Sequence, residues 1–192
     1  MKVLVTGANG QLGSELCKVM DAFEIAPYTH SKLDITDLQG VRSAFAAFRP
    51  DIVINTAAYI RVDDCESNSE TAYRVNALGA RNIAVAAQEI GAKLVHLSTD
   101  YVFGGEQRSE YVPYTEFDAP VPINLYGRSK LAGEELVRHL CLKHFIIRTS
   151  GLFGVAGSSG KGGNFVETIL RLGKEQDELK VVNDQVFTPH LC

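Results

Sequence analysis

The stretch Met1-Lys2-Val3-Leu4-Val5-Thr6-Gly7-Ala8-Asn9-Gly10-Gln11-Leu12-Gly13 decides how this chain folds. Val3–Thr6 reads as a buried strand, and an amphipathic helical pattern runs from Gln11 to Met20. Between them Gly7, Gly10 and Gly13 are spaced GxxGxxG. Gly7 permits a tight turn, Gly10 lets the backbone approach a pyrophosphate, and Gly13 lets the new helix pack closely on the sheet. A diphosphate there meets N–H groups at the positive end of the helix. A glycine triplet alone is weak evidence; strand, loop and helix in this order predict a dinucleotide site.

Outward from this loop, short β-branched runs alternate with longer helical patterns. Strands are expected at Phe23–Pro27, Ile52–Asn55, Leu94–Ser98 and Phe145–Thr149, and helices at Leu38–Phe48, Glu66–Glu89 and Ser129–His139. This alternation predicts the α/β class: a doubly wound parallel sheet of Rossmann type, covered on both faces. Ligands of such sheets lie beyond the carboxyl ends of the strands. The segments to search for chemistry are therefore Gly7 to Gly13, Ala57 to Tyr59, Ser98 to Tyr101, and Ser150 onward. Residues 1–150 form the expected dinucleotide-binding domain. A glycine-rich loop at 154–163, a helix at Asn164–Leu172 and a short strand at Leu179–Val182 follow. Residues 151–192 are read as the beginning of a substrate-binding lobe, incomplete at Cys192, whose last helix has little to pack on. Its apolar surface is expected to favour aggregation or a homodimer.

Composition narrows the partners. A hydrophobic content of 45% and a charged content of 22% are ordinary for a soluble globular chain. A net charge of −4 offers no basic footprint for nucleic acid or an anionic membrane. No apolar run approaches the roughly 20 residues that span a bilayer. The first residues enter a strand directly, so no secretory leader is expected. Cys17, Cys65, Cys141 and Cys192 lack metal-ligand spacing and fit a reducing, cytoplasmic setting. Asp63, Asp64 and Glu66 open a helical stretch, where acids serve the helix dipole, and no metal is expected. His96 reads as a satisfied core histidine, and Glu134 and Glu135 as a solvated helix face.

A carboxylate about 20 residues beyond the glycine loop would bind the adenosine ribose and exclude a 2′-phosphate. The stretch Pro27-Tyr28-Thr29-His30-Ser31-Lys32 has none. NADP is favoured over NAD on this ground, with both NADPH and NADH open, and His30 and Lys32 are at hand for the extra phosphate. Asp34, the first carboxylate, is better placed for the adenine edge.

Tyr126-Gly127-Arg128-Ser129-Lys130 sets Tyr126 and Lys130 four residues apart, on one face of a helix. An ammonium so placed is expected to lower the phenol pKa toward the working pH. Ser98-Thr99-Asp100 ends the preceding strand, and Thr99 can donate to a substrate carbonyl. Beside a nicotinamide these groups suit carbonyl reduction, with Tyr126 as proton donor.

TGxxGxxG, Ser98-Thr99-Asp100 and YxxxK together resemble the extended short-chain dehydrogenase/reductases. Leu33-Asp34-Ile35-Thr36-Asp37, Val53-Ile54-Asn55-Thr56-Ala57-Ala58-Tyr59, Leu97-Ser98-Thr99-Asp100-Tyr101-Val102-Phe103, Tyr126 to Glu134 and Val182-Asn183-Asp184-Gln185 narrow the resemblance to the dTDP-4-dehydrorhamnose reductase family. The resemblance implies reduction of a 4-keto nucleotide sugar with Thr99, Tyr126 and Lys130 as the catalytic set. It implies cofactor contacts from Gly7, Asn9, Gly10, Gln11, Leu12 and Gly13, from Asp34 and Ile35, from Ala57, Ala58 and Tyr59, and from Asn76, Tyr126 and Lys130. The sugar nucleotide would meet Val62, Thr99, Asp100, Tyr126, Asn164 and Phe165. Two other readings share the fold: a non-catalytic NADP-binding subunit, resembling the regulatory β-subunit of methionine adenosyltransferase, and a nucleotide-sugar epimerase. Family members carry Trp after the Arg-Thr-Ser that is Arg148-Thr149-Ser150 here, and this chain has no Trp. The family's VDKAE is Val62-Asp63-Asp64-Cys65-Glu66, an anion in place of a cation. Members also continue for roughly a hundred residues more, as a whole substrate lobe requires.

Overall fold

Five parallel strands form the sheet in the computed structural model, which describes residues 1–105, 112–154, 165–181 and 189–191. They are β1 (Lys2–Thr6), β2 (Glu24–Tyr28), β3 (Ile52–Asn55), β4 (Lys93–Thr99) and β5 (His144–Thr149), in the order β2-β1-β3-β4-β5. The order reverses between β1 and β3, and the ends of these two strands open the crevice where α/β sheets bind ligands. In register, Thr6 pairs with Asn55, Asn55 with His96, and Thr99 with Thr149, so the polar strand ends lie side by side.

Helices α1 (Gln11–Val19), α2 (Leu38–Phe48), α5 (Ala80–Ile90) and α6 (Leu125–Leu140) cover the sheet. The larger core lies on one face, where Leu4, Val53 and Leu94 meet Val41 and Phe45 of α2, Ile83 of α5 and Val137 of α6. On the other face Val3 and Val5 pack with Ile52, Ile54 and Cys17 of α1. There Phe145 and Ile147 of β5 remain exposed.

Two expected helices differ in ways that matter for the site. The stretch expected to be continuous over Glu66–Glu89 is divided into α3 (Val62–Ser67), α4 (Ser69–Tyr73), a π-helical turn at Arg74–Gly79, and α5. Asn68, at φ −120° and ψ 47°, interrupts the spiral between α3 and α4. The π turn shifts the side-chain register where Asn76 stands, as such turns do near functional sites. Helix α6 begins four residues before the expected Ser129, because Asn124 accepts from Gly127 N at 2.7 Å and caps it. Glu66 adds an acceptor for Leu125 N at 2.8 Å. Tyr126 thereby stands in the first turn of α6, with Lys130 one turn on.

After β5 come β6 (Gly151–Phe153), α7 (Phe165–Glu175) and β7 (Pro189–Leu191); β6 and β7 form a separate parallel pair. The strand expected at Leu179–Val182 is not found in its described part: residues 179–181 are irregular, and Val182 lies outside the described residues. Lys180 and Val181 are exposed, so no burial favours an extended pairing there. Among the described residues, no helix is long and apolar enough to cross a membrane, and Cys17 and Cys141 are free thiols.

Candidate active site

The glycine loop is a cradle with no room for side chains. Gly7 takes φ +69°, and a Cβ there would lie 2.8 Å from both Thr56 Oγ1 and Ala57 N. A Cβ on Gly13 would strike the Gly7 carbonyl oxygen and stand 2.9 Å from Thr56 Oγ1. Thr56 locks this arrangement by donating its hydroxyl to the Thr6 carbonyl at 2.6 Å. Gly10 is the N-cap of α1 and supplies no side-chain cap, and no acid stands in the first turn. The positive helix end thus faces the crevice without a resident anion, which fits a dinucleotide diphosphate. Asn9 is exposed, and Gln11 and Leu12 are half-buried on the rim.

The flanking loops are held from below. Asp34 Oδ1 accepts from Thr36 N at 2.9 Å and from Thr36 Oγ1 at 2.8 Å, and these bonds hold its carboxyl below the usual range. Ile35 is buried against Gly79. Asn82 donates to the Ile35 and Thr36 carbonyls at 3.0 and 3.1 Å. Ala57, Ala58 and Tyr59 follow β3 and are half-buried. An open cleft of about 370 Å³ is lined by Ala58, Tyr59, Ile60 and Arg61, and adjoins one of about 390 Å³ along Arg61, Val62, Asp63 and Asp64.

Asn76 is buried beneath this floor. Its Oδ1 accepts from Tyr59 N at 2.8 Å, and its Nδ2 donates to Tyr59 O and Ser129 Oγ, each at 3.0 Å. The side chain pins the Tyr59 loop to α6, one residue before Lys130.

The reactive end gathers at the carboxyl edge of β4. Thr99 closes that strand, accepts from Tyr101 N at 3.2 Å and donates to Asp100 Oδ1 at 3.1 Å. Tyr126 approaches from α6, its ring edge-on to Tyr101 at 5.6 Å. Burial pushes its phenol up to about 12; the Thr99 hydroxyl pulls down, while Asp100, Cys65 and Tyr101 push up. This corrects the expectation of a lowered phenol pKa. Lys130 turns its ammonium to the Leu97 carbonyl, at 2.6 Å, and burial brings it down to about 8. At neutral pH the site thus holds a protonated phenol and a buried cation.

Glu134 is a second correction. It is 0% exposed, not a solvated helix residue. It accepts from Ser98 Oγ at 2.5 Å, and from Arg148 at 3.0 Å to Nε and 2.7 Å to Nη2. Arg148 also stacks over Phe103, 4.9 Å from the ring centroid. Glu135, by contrast, is exposed and pairs with Arg138. The spacing 126, 130, 134 carried the signal, since i, i+4 and i+8 share one helix face. His96 is buried as expected but only half satisfied: Nδ1 bonds Asn55 Nδ2 at 3.0 Å, and Nε2 has no partner among the described residues. Asn55 Oδ1 in turn accepts from Thr6 Oγ1 at 2.7 Å.

Of the residues expected to meet the sugar, Val62 opens α3, and Thr99, Asp100 and Tyr126 gather as described. Phe165 opens α7, and Asn164 lies outside the described residues. Asp63 and Asp64 stand in the first turn of α3, where Asp64 pairs with Arg61 at 3.3 Å. Among the described residues, no group of three His, Cys, Asp or Glu side chains is arranged to hold a metal ion.

A family model described as RmlD substrate binding domain matches residues 1–191. The spore coat polysaccharide biosynthesis protein SpsK of Bacillus subtilis (strain 168) is 45% identical over 190 residues, covering 98% of this chain and 64% of that protein. The crystal structure of a dTDP-4-dehydrorhamnose reductase from Clostridium acetobutylicum superposes with a TM-score of 0.90 at 47% identity, covering 100% of this chain and 66% of that one. That of a dTDP-4-dehydrorhamnose reductase from Bacillus anthracis, in complex with NADP, gives 0.83 at 48% identity, covering 91% and 60%. The chain therefore spans 60 to 66% of the length of these relatives. The matches favour neither the regulatory-subunit reading nor the epimerase reading.

Proposed function

The chain belongs to the RmlD substrate binding domain family, and from that premise we propose that it is an NAD(P)H-dependent reductase of a 4-keto nucleotide sugar, converting dTDP-4-dehydrorhamnose to dTDP-L-rhamnose. The observation that carries this reading is the convergence of Thr99, Tyr126 and Lys130 at one edge of a crevice whose other edge is the glycine cradle. NADP bound to a relative at 48% identity supports the cofactor class.

Gly7, Gly10 and Gly13 would hold the diphosphate on the α1 N-terminus, Asp34 and Ile35 the adenosine, and Ala57, Ala58 and Tyr59 the crevice wall. When bound, the cofactor supplies a hydride. Thr99 Oγ1 turns from Asp100 to donate to the ketone oxygen. Tyr126 Oη–H then releases its proton to that oxygen, leaving a secondary alcohol. A phenol held near 12 is fully protonated at neutral pH, so Tyr126 enters as the acid. Lys130 supplies the positive field beneath it and a donor for the nicotinamide ribose. Val62, Asp100, Asn164 and Phe165 are assigned to the sugar nucleotide. In this reading residues 1–150 bind the cofactor, and residues 151–192 begin the lobe that meets the sugar. The setting is cytoplasmic. A homodimer through exposed Val166 and Leu170 of α7 belongs to the same reading, and gel filtration tests it.

The test is NADPH binding by calorimetry, then NADPH oxidation with dTDP-4-dehydro-6-deoxy-L-mannose. Substrate-dependent oxidation that is lost in Tyr126→Phe supports the reading. Tight NADPH binding without turnover points instead to a regulatory role, and a redox-neutral isomerised product points to epimerisation.

A further inference from the structure

Tyr126, Lys130 and Glu134 occupy successive turns of one face of α6, yet the reductase reading uses only the first two. Glu134 is 0% exposed, and its carboxylate ties three elements together. Ser98 Oγ reaches it from β4, and Arg148 Nε and Nη2 reach it from β5 at 3.0 and 2.7 Å. Arg138, on α6 itself, adds a longer contact at 3.5 Å. Ser98 lies between Leu97, whose carbonyl takes the Lys130 ammonium, and Thr99. A bond to Ser98 therefore fixes the strand end that presents both neighbours. Lys130, 2% exposed, sets its ammonium on a neutral carbonyl. Burying an ammonium on a neutral acceptor is costly unless an anion stands nearby.

We propose that Glu134 is a positioning residue for the Thr99–Tyr126–Lys130 group, seating the end of β4 on α6 and serving as the shared counter-charge that keeps the buried Lys130 side chain an ammonium. Glu134 raises the proton affinity of Lys130 against its burial. Arg148 competes with Lys130 for the same carboxylate. Other titratable groups lie around this cluster of side chains. His96 faces it from β4 and is held neutral by burial and by the Lys130 charge. Asp100 and Tyr101 follow β4, Tyr126 and Arg138 belong to α6, and Cys65 faces Tyr126 from α3. The π-helical turn contributes the uncharged Asn76. Glu134 is thus the anion one turn from Lys130 on its own helix, and Arg148 sets how much of that charge is left for the lysine.

This inference rests on the reductase reading for its purpose but is tested without turnover. Isotope-labelled lysine reports the Lys130 ammonium by NMR in the cofactor-free chain, with the signal assigned by its loss in Lys130→Met. Glu134→Gln keeps the shape and an acceptor for Ser98 and removes the charge; the Lys130 midpoint is expected to fall by about one pH unit or more. Arg148→Gln removes the competitor and is expected to move the midpoint up. Loosened packing would let water in and move both variants the same way, so opposite signs identify shared charge. An unmoved midpoint, or shifts of the same sign, overturns the proposal. If Glu134→Gln does not fold, Arg148→Lys, which keeps a cation beside the carboxylate, is set against Arg148→Gln: a rise in Arg148→Gln alone upholds the shared charge, and an equal rise in both overturns it. NADPH binding on the same samples separates the two readings: opposite shifts in a chain that binds no NADPH overturn the reductase reading and leave this one standing.

Discussion

The two edges of the crevice are made of different materials. At the glycine cradle, the backbone makes the shape and side chains are kept out: Gly7 at φ +69° and Gly13 against the Gly7 carbonyl leave no space for a Cβ. At the reactive edge, side chains make everything, and four of them (Tyr126, Lys130, Glu134 and Arg148) carry a titratable or fixed charge away from bulk water. A backbone cradle depends on steric room and is indifferent to pH. A buried charged cluster keeps its shape under isosteric change but depends on which groups hold protons. One end of the molecule is thus vulnerable to an added methyl group, and the other to a moved proton.

The largest expected effect belongs to the reactive edge. Tyr126→Phe removes one hydroxyl and leaves the ring against Tyr101, so under the proposed function the reduction rate is expected to fall by about 10²- to 10⁴-fold with little change in NADPH affinity. Single-turnover oxidation and calorimetry measure the two quantities separately. A fall in affinity equal to the fall in rate would place the residue in binding instead of proton transfer.

Next comes the dependence on pH. Lys130 sits at about 8 in the folded chain against an ordinary 10.5. Below about pH 8 both states hold the proton, and the full cost of the buried ammonium is present. Between about 8 and 10.5 the unfolded chain binds more protons, so this residue's contribution to stability rises with pH. Tyr126 has the opposite sign: near 12 when folded, against 10.0, it stabilises below about pH 10 and loses that contribution toward pH 12. Comparison with Lys130→Met isolates the lysine. The parent is expected to gain about 2–3 kcal/mol on the variant between about pH 7 and about pH 10. Denaturant unfolding at the two pH values checks it, and a gap that stays constant would show that the ammonium is not buried.

The cradle should give the reverse pattern. Gly13→Ala forces a methyl group onto the Gly7 carbonyl and Thr56, and is expected to cost about 1–3 kcal/mol of stability. NADPH affinity should fall at least about tenfold with it, by the same factor at neutral and alkaline pH. A strongly pH-dependent loss would mean that a titrating group, not steric room, governs the cradle.

This difference also explains what was legible in the sequence. Glycines at 7, 10 and 13 after a β-branched run name a turn, a close approach and a helix start, because backbone geometry is written locally. The five strands were legible for the same reason, as continuous apolar runs between helical patterns. Tyr126 and Lys130 could be placed on one helix face by spacing alone. Their protonation could not, because burial and the neighbours Thr99, Asp100 and Glu134 come from three different elements. Glu134 looked like a surface residue because its partners, Ser98 and Arg148, lie 36 and 14 residues away in the chain. Asn76 was expected to touch a cofactor. The π-helical turn, which no periodicity announces, directs its side chain to Tyr59 and Ser129.

The smallest effect sharpens the comparison where the cradle does use a side chain. Backbone N–H groups bind the diphosphate of NADH and NADPH alike, so the cradle by itself does not choose between them. Under the proposed function the choice falls to the turn after β2, which has no carboxylate and presents Lys32 to solvent beside Ser31. The turn is ordered, with Lys32 N bonded to Thr29 O at 3.0 Å and Thr29 Oγ1 to Ser31 Oγ at 2.9 Å. An exposed ammonium meeting a phosphate is screened by water and salt, which limits its worth to about fivefold in affinity. Lys32→Ala is therefore expected to weaken NADPH by up to about fivefold, leave NADH unchanged, and lose its effect at high salt. Calorimetry with both cofactors at two salt concentrations measures this. An equal loss for NADH would assign Lys32 to the turn's stability, and selectivity would then rest on the missing carboxylate alone.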